Sequence, residues 1–155
     1  MPHLPGTTLA LACILFAATC APAQRKPAKV PSPCSLLTPD EIKTVISAPV
    51  NPGIAGSGDC TWKSPKGEDR VYISLRSSDD WHNLHDTMRG TGRLTPLTGI
   101  AEDAFFVAST GSSAVLYLLK RRHEILLTVD GPGYSRAQNE GAEKALAPNI
   151  LNRLQ

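Results

Sequence analysis

Hydrophobic residues recur with two different periods along this chain. A period of two runs through Arg70-Val71-Tyr72-Ile73-Ser74-Leu75-Arg76, nearly continuous apolar runs fill 114–120 and 124–130, and the i, i+3, i+4 spacing of helices marks three other stretches. The first helix is the best signalled. Thr38 suits the N-cap, Pro39 the first helical position, and Glu41 at the third position completes a capping box. Asp40 and Glu41 also sit at the positive end of the helix dipole. Ile42, Val45 and Ile46 form its apolar face, and Ala48-Pro49 ends it. A second helix follows Ser78-Asp79-Asp80, turns Trp81, Leu84 and Met88 to one side, and stops at Gly90 and Gly92. A third runs from Ser135 to Leu154 with Ala142, Ala145, Leu146, Ile150 and Leu154 facing inward; Pro148 is expected to kink or split it near Ala147.

Between the helices lie strands. Asp59–Lys63 and Arg70–Arg76 flank the turn Ser64-Pro65-Lys66-Gly67 and form a hairpin with Trp62 packed over it. Residues 96–106 are a loop running into a third strand, and 114–120 and 124–130 are two apolar strands joined by Arg121-Arg122-His123. Leu116, Leu118, Ile125, Leu127 and Val129 fall on one side, because alternate strand residues share a face. The order predicts an α+β domain, an antiparallel sheet of about five strands covered by helices.

The N-terminus has a different character. Residues 9–18 are uncharged and apolar but shorter than a membrane span, and Ala21-Pro22-Ala23 supplies the small residues of a cleavage site, so 1–23 reads as a signal peptide cut after Ala23. Ahead of the apolar run stand only His3 and the terminal amine as cations. Ala17-Ala18-Thr19-Cys20 offers the alternative of a lipoprotein cleavage with Cys20 acylated, although Thr19 replaces the usual Gly or Ala. Residues 24–33 carry three prolines and three cations, a basic linker that builds neither helix nor central strand. A single domain, 34–155, follows.

Charge narrows the function classes. All sixteen Lys and Arg and all fourteen Asp and Glu lie beyond residue 23, so the net charge stays at +2 and no concentrated basic face marks a nucleic-acid binder. Contact with a membrane is expected only if Cys20 is lipidated. Cleavage by either route leaves Cys34 and Cys60 as partners, and two thiols in a small exported domain form a structural disulfide. There is no Cys-x-x-Cys and no Lys or His beside either thiol to activate it.

Cys34-Ser-Leu-Leu-Thr, Gly58-x-Cys60-x-Trp62 and Leu97-x-Gly99-Ile100-Ala101-Glu102-Asp103-Ala104-Phe105, followed by a strand pair and a terminal helix, resemble a group of small bacterial exported proteins and lipoproteins of unknown function. The resemblance covers roughly residues 34–154. It implies a fold similar to the PsbP-like α/β sandwich and carries no catalytic residue with it.

Candidate chemistry is sparse. His82, His85 and Asp86 form His-x-x-His-Asp on the second helix, and His82 and Asp86 share a side at ligand-like spacing, but no third metal ligand stands nearby. Glu102 and Asp103 are adjacent acids in a loop, read as turn or capping residues before an acid/base pair. Lys120 to His123 read as turn charges that guard the apolar strands. Ser57 lacks a nucleophile elbow, and Gly53, Gly56 and Gly58 precede a strand where a phosphate loop needs a helix. The reading is therefore a non-enzymatic cell-envelope, periplasmic or secreted binding domain without cofactor. Its partner would be an envelope protein or small molecule, met by the sheet face or by the loops 51–58 and 97–104. The alternative is an envelope hydrolase or metal-dependent enzyme using His82, His85, Glu102 and Asp103.

Overall fold

The structure, a computed structural model, describes residues 30–154. The expected signal peptide, the cut after Ala23, Cys20 and most of the linker lie outside the described residues.

The alternating segments assemble into one antiparallel sheet. Its strands are β1 (Ile54–Ala55), β2 (Asp59–Lys63), β3 (Arg70–Ser77), β4 (Leu94–Leu97), β5 (Asp103–Ala108), β6 (Ala114–Lys120) and β7 (His123–Asp130). They lie in the order β1-β2-β3-β7-β6-β5-β4, seven strands where about five were expected. Both additions are edges. β1 is two residues inside the 51–58 loop, and β4 is four residues containing Pro96. Proline lacks the N–H a central strand must donate, so an edge is where it is tolerated. The β6–β7 turn places Arg121 at φ 56°, in the left-handed region.

Helices α1 (Pro39–Ile46) and α3 (Arg136–Arg153) cover one face. Both start on capping boxes: Thr38 with Glu41, and Ser135 with Gln138. Leu36, Leu37, Ile42 and Ile46 meet Trp62, Val71, Ile73, Leu116, Leu118, Ile125, Leu127 and Val129 in one core, closed from above by Leu146, Ala147, Ile150 and Leu154. The Arg153 guanidinium donates to both Glu41 carboxylate oxygens at 2.8 and 2.9 Å and to the Leu36 carbonyl at 2.9 Å, tying the start of α1 to the end of α3. This fork holds the Glu41 carboxyl below its usual range. Tyr134 Oη donates to the Ile46 carbonyl at 3.0 Å and serves the other end of α1.

Two expectations for α3 need correction. It runs as one α-helix through Pro148. Pro148 and Lys144, whose carbonyl loses its donor, are both exposed, so water can serve the freed acceptor. Ala145 faces outward, and the inner stripe is Asn139, Glu143, Leu146, Ala147, Ile150 and Leu154. Two polar residues thus enter the core. Pairing of β6 with β7 stops at Leu116–Leu127. Beyond it the Val129 amide donates to Glu143 Oε1 at 2.9 Å, and Asn139 Nδ2 donates to the Ser112 carbonyl at 3.1 Å. The two side chains fill the place where a strand bond would be.

The disulfide joins Cys34 to Cys60, with Cα atoms 5.1 Å apart across 26 residues of sequence. It is roofed by the loop that precedes β1. A Cβ on Gly53 would stand 2.6 Å from Cys60 Sγ and 2.8 Å from the Trp62 ring, so the close approach requires glycine there. Among the described residues, no helix is long and apolar enough to cross a membrane.

Candidate functional site

The opposite face of the sheet is built from the alternate residues of the same strands. Its cross-strand register includes three rows across the middle of the sheet. Ile54, Thr61, Tyr72 and Thr128 run across β1, β2, β3 and β7. Asp59, Ser74, Leu126, Tyr117, Phe105 and Pro96 run from β2 to β4. Arg76, Glu124, Leu119 and Asp103 run from β3 to β5.

Helix α2 (Trp81–Gly90) covers the β5 end of these rows. Trp81 is its buried residue; the indole Nε1 donates to Asp103 Oδ2 at 2.9 Å and the ring lies 5.2 Å from Phe105. His85 meets Phe105 edge-on at 5.1 Å, and Tyr117 stacks on Phe105 at 5.0 Å with ring planes 13° apart. Neither Trp81 nor Phe105 belongs to the main core, so α2 and the sheet form a second, smaller aromatic cluster. The remainder of the face carries half-exposed Thr61, Tyr72, Thr128 and Leu126, and Ile54 is 67% exposed.

Glu124 is the charged residue of this face that stands out. It is only 5% exposed, and among the described residues its carboxylate accepts no hydrogen bond from a protein group. Its cross-strand partner is Arg76, whose Nε donates to Ser74 Oγ at 3.3 Å. Burial pushes the Glu124 carboxyl above its ordinary range; the Arg76 charge offsets part of the rise and Asp80 adds to it. The Tyr117 hydroxyl is pushed up as well, by burial first and then by the Glu124 charge.

The residues singled out in the sequence are distributed unevenly about this face. His85 and Asp103 both reach the Trp81–Phe105 cluster, where Asp103 is engaged by the indole. His82 and Asp86 lie on the solvent side of α2, and Glu102 is exposed ahead of β5. His85 Nδ1 stands 3.8 Å from Asp86 Oδ1 and 3.5 Å from Arg89 Nη2. Among the described residues, no group of three or more His, Cys, Asp or Glu is placed to hold a metal ion. In the 97–104 loop, Ile100 and Ala101 are tucked against the core, while the 51–58 loop presents Ile54 at the edge of the first row.

Sequence reasoning missed Glu124, Arg76, Tyr72 and Tyr117 as members of one surface. The available signal was a lone acid opening an apolar strand and a lone arginine closing an alternating one. Their juxtaposition depends on β3 lying next to β7, which neither strand alone reveals.

These features define a disulfide-tied α+β domain whose sheet is closed on one face and half open on the other. No family model matches the chain, and no solved structure matches it. The chain is similar to a glucan endo-1,3-beta-D-glucosidase of Thermobifida fusca (strain YX), 39% identical over 66 residues, a stretch that covers 41% of this chain and 8% of that protein.

Proposed function

We propose that this is an exported, non-catalytic binding domain that holds a 1,3-β-linked glucan on the open half of its sheet. The observation that carries the reading is the row of Ile54, Thr61, Tyr72 and Thr128, a stripe of aromatic, aliphatic and hydroxyl groups across four neighbouring strands that no helix among the described residues covers. A sugar ring offers apolar C–H faces and a rim of hydroxyls, and a half-exposed Tyr with Thr neighbours meets both. The stretch shared with a protein named for 1,3-β-glucan supports the choice of ligand. Export is part of the same reading, supported by the Cys34–Cys60 bridge, since such bonds persist in oxidising compartments. The kinship to small exported domains of the PsbP-like type also belongs to it, resting on the Cys34…Cys60-x-Trp62 pattern and the segment from Gly99 to Phe105.

The mature protein should be retained on an insoluble 1,3-β-glucan and pass through cellulose, and it should release no reducing sugar. Tyr72→Ala should lose most of the retention while keeping its melting temperature. Release of reducing sugar would put the hydrolase reading ahead, and equal passage through both polymers would remove the glucan.

A further inference from the structure

We infer that Tyr117 is a second ring platform of the open face, and that the glucan chain crosses β7 diagonally, from Tyr72 over Leu126 to Tyr117. This rests on the glucan reading above and deepens it by naming the path of the chain and its need for several linked sugars. Strand β7 lies between β3 and β6. Leu126 on β7 is the direct partner of Tyr117 on β6, and Tyr72 on β3 stands opposite Thr128, the next residue of β7 on the same face. Direct partners are about 5 Å apart at Cβ and diagonal ones about 7 to 8 Å, so the three side chains form one continuous diagonal.

Tyr117 has what a stacking platform needs. One face of its ring is held by Phe105, its partner on β5, at 5.0 Å with ring planes 13° apart. Phe105 is itself fully buried, with the Trp81 ring 5.2 Å and the His85 ring 5.1 Å away. The tyrosine is therefore fixed before any ligand arrives, and a ring fixed in advance loses little freedom on binding. Strand β5 lies on one side of β6 and β7 on the other, so the face turned away from Phe105 looks across Leu126. Tyr117 and Leu126 both stay half-exposed, which leaves that face and the leucine beside it open to a ligand.

The spacing of the two tyrosines selects a chain over a single sugar. The apolar C–H face of one pyranose covers one aromatic ring. Two strand spacings alone set Tyr72 and Tyr117 about 10 Å apart, so one sugar cannot cover both. Linked sugars reach both, with Leu126 as the apolar ground between them. Two weak platforms joined by one ligand act together. The second contact forms inside the bound complex, so affinity climbs steeply once the chain is long enough to span them.

The test is calorimetric titration of the mature wild-type protein, Tyr72→Ala and Tyr117→Leu with 1,3-β-linked glucose oligomers of increasing length, with thermal melts alongside. Wild-type affinity should rise about tenfold or more between oligomers that reach one tyrosine and those that reach both. Tyr117→Leu keeps an apolar cover on Phe105 but has no flat face, so it should fold and lose that rise. If it does not fold, proton resonances of the wild type decide: a long oligomer should shift the ring signals of Tyr72 and Tyr117 together. Tyr117 signals that stay in place while those of Tyr72 move would overturn the second platform. So would wild-type affinity that does not depend on length, or a folded Tyr117→Leu that keeps the rise while Tyr72→Ala loses binding. In each of these cases the glucan face stands. A wild type that binds no oligomer of any length removes both readings.

Discussion

The two faces of this sheet are made from the same strands yet differ in what they demand. On the closed face the alternate residues are apolar except towards the strand ends, where Ser77, Thr95, Lys120 and His123 fall, and α1, α3 and the disulfide seal it. On the open face the same spacing yields Thr61, Tyr72, Ser74, Arg76, Glu124, Leu126 and Thr128, and one short helix reaches only the β5 end. Strand alternation builds both, so the difference lies in what each row is left to meet. A row sealed by helices must find its partners within the chain, and there Glu143 Oε2 and Asn139 Oδ1 are left without one among the described residues. A row left open meets solvent, as the exposed Arg76 head does.

The largest expected effect tests that contrast between neighbouring residues. Leu127 faces the core and is fully buried, while Leu126 lies on the open face between Ser74 and Tyr117. Leu127→Ala should cost roughly 2 to 5 kcal/mol, and Leu126→Ala about 1 kcal/mol or less, measured by denaturant unfolding. Equal losses would mean that the open face is packed as tightly as the closed one.

Next in size is the disulfide, which belongs to the closed face through Cys60 and Trp62. On the chain-entropy view a loop of this length is worth roughly 3 kcal/mol. Reduction, or Cys34→Ser with Cys60→Ser, should lower stability by about that much and leave glucan retention per folded molecule unchanged. Two titratable thiols in protein from an oxidising compartment would count against the bridge.

Acidity separates the faces in another way. Glu143 is fully buried in the closed face, and burial pushes its carboxyl up to about 9. Because the folded value exceeds the unfolded one, its contribution is complete below pH 4.5 and is lost as pH rises towards 9. The expected slope is roughly 1 kcal/mol per pH unit across that window. Glu41 has the opposite sign: its depressed carboxyl stabilises above 4.5 and that contribution fades as pH falls through its folded value. Glu143→Gln should flatten the alkaline limb. The oxygens left without partners, Glu143 Oε2 and Asn139 Oδ1, lie one helical turn apart, so a proton on the first, or the glutamine amide, supplies the donor the second lacks. Denaturation between pH 5 and 9 checks this, and an unchanged slope in the variant would refute the neutral acid.

How much of this was legible in the sequence depended on how local each signal is. Thr38-Pro39-Asp40-Glu41 announced α1 because a capping box is contained in four residues. Strand β3 was legible from its alternation, and β6 and β7 as apolar runs either side of a charged turn. Strand β4 was not, because four residues including a proline hold no period, and only pairing with β5 makes them a strand. Glu143 was passed over because an acid on a helix reads as surface; its reason for being inside, the Val129 amide, lies on another element. The open-face site was hidden for the same reason. Arg76 and Glu124 are far apart in the chain, and their register is settled by which strand pairs with which.

The smallest expected effect concerns α2, the sparse cover of the open face. Its inner side is Trp81, Leu84, His85 and Met88, and His82 is exposed. His82→Ala should therefore change stability by no more than about 0.5 kcal/mol, the ordinary range for a surface substitution. His85→Ala removes a ring whose side chain is 16% exposed and lies against Phe105, and such an edge contact is worth about 1 kcal/mol. The pair of thermal melts locates the inner side of α2 without any ligand. If His82→Ala proves the more damaging, α2 is turned about its axis so that His82 points at the sheet. The Phe105 end of the open face is then uncovered, and the boundary between the covered and the open parts of the sheet moves towards β4.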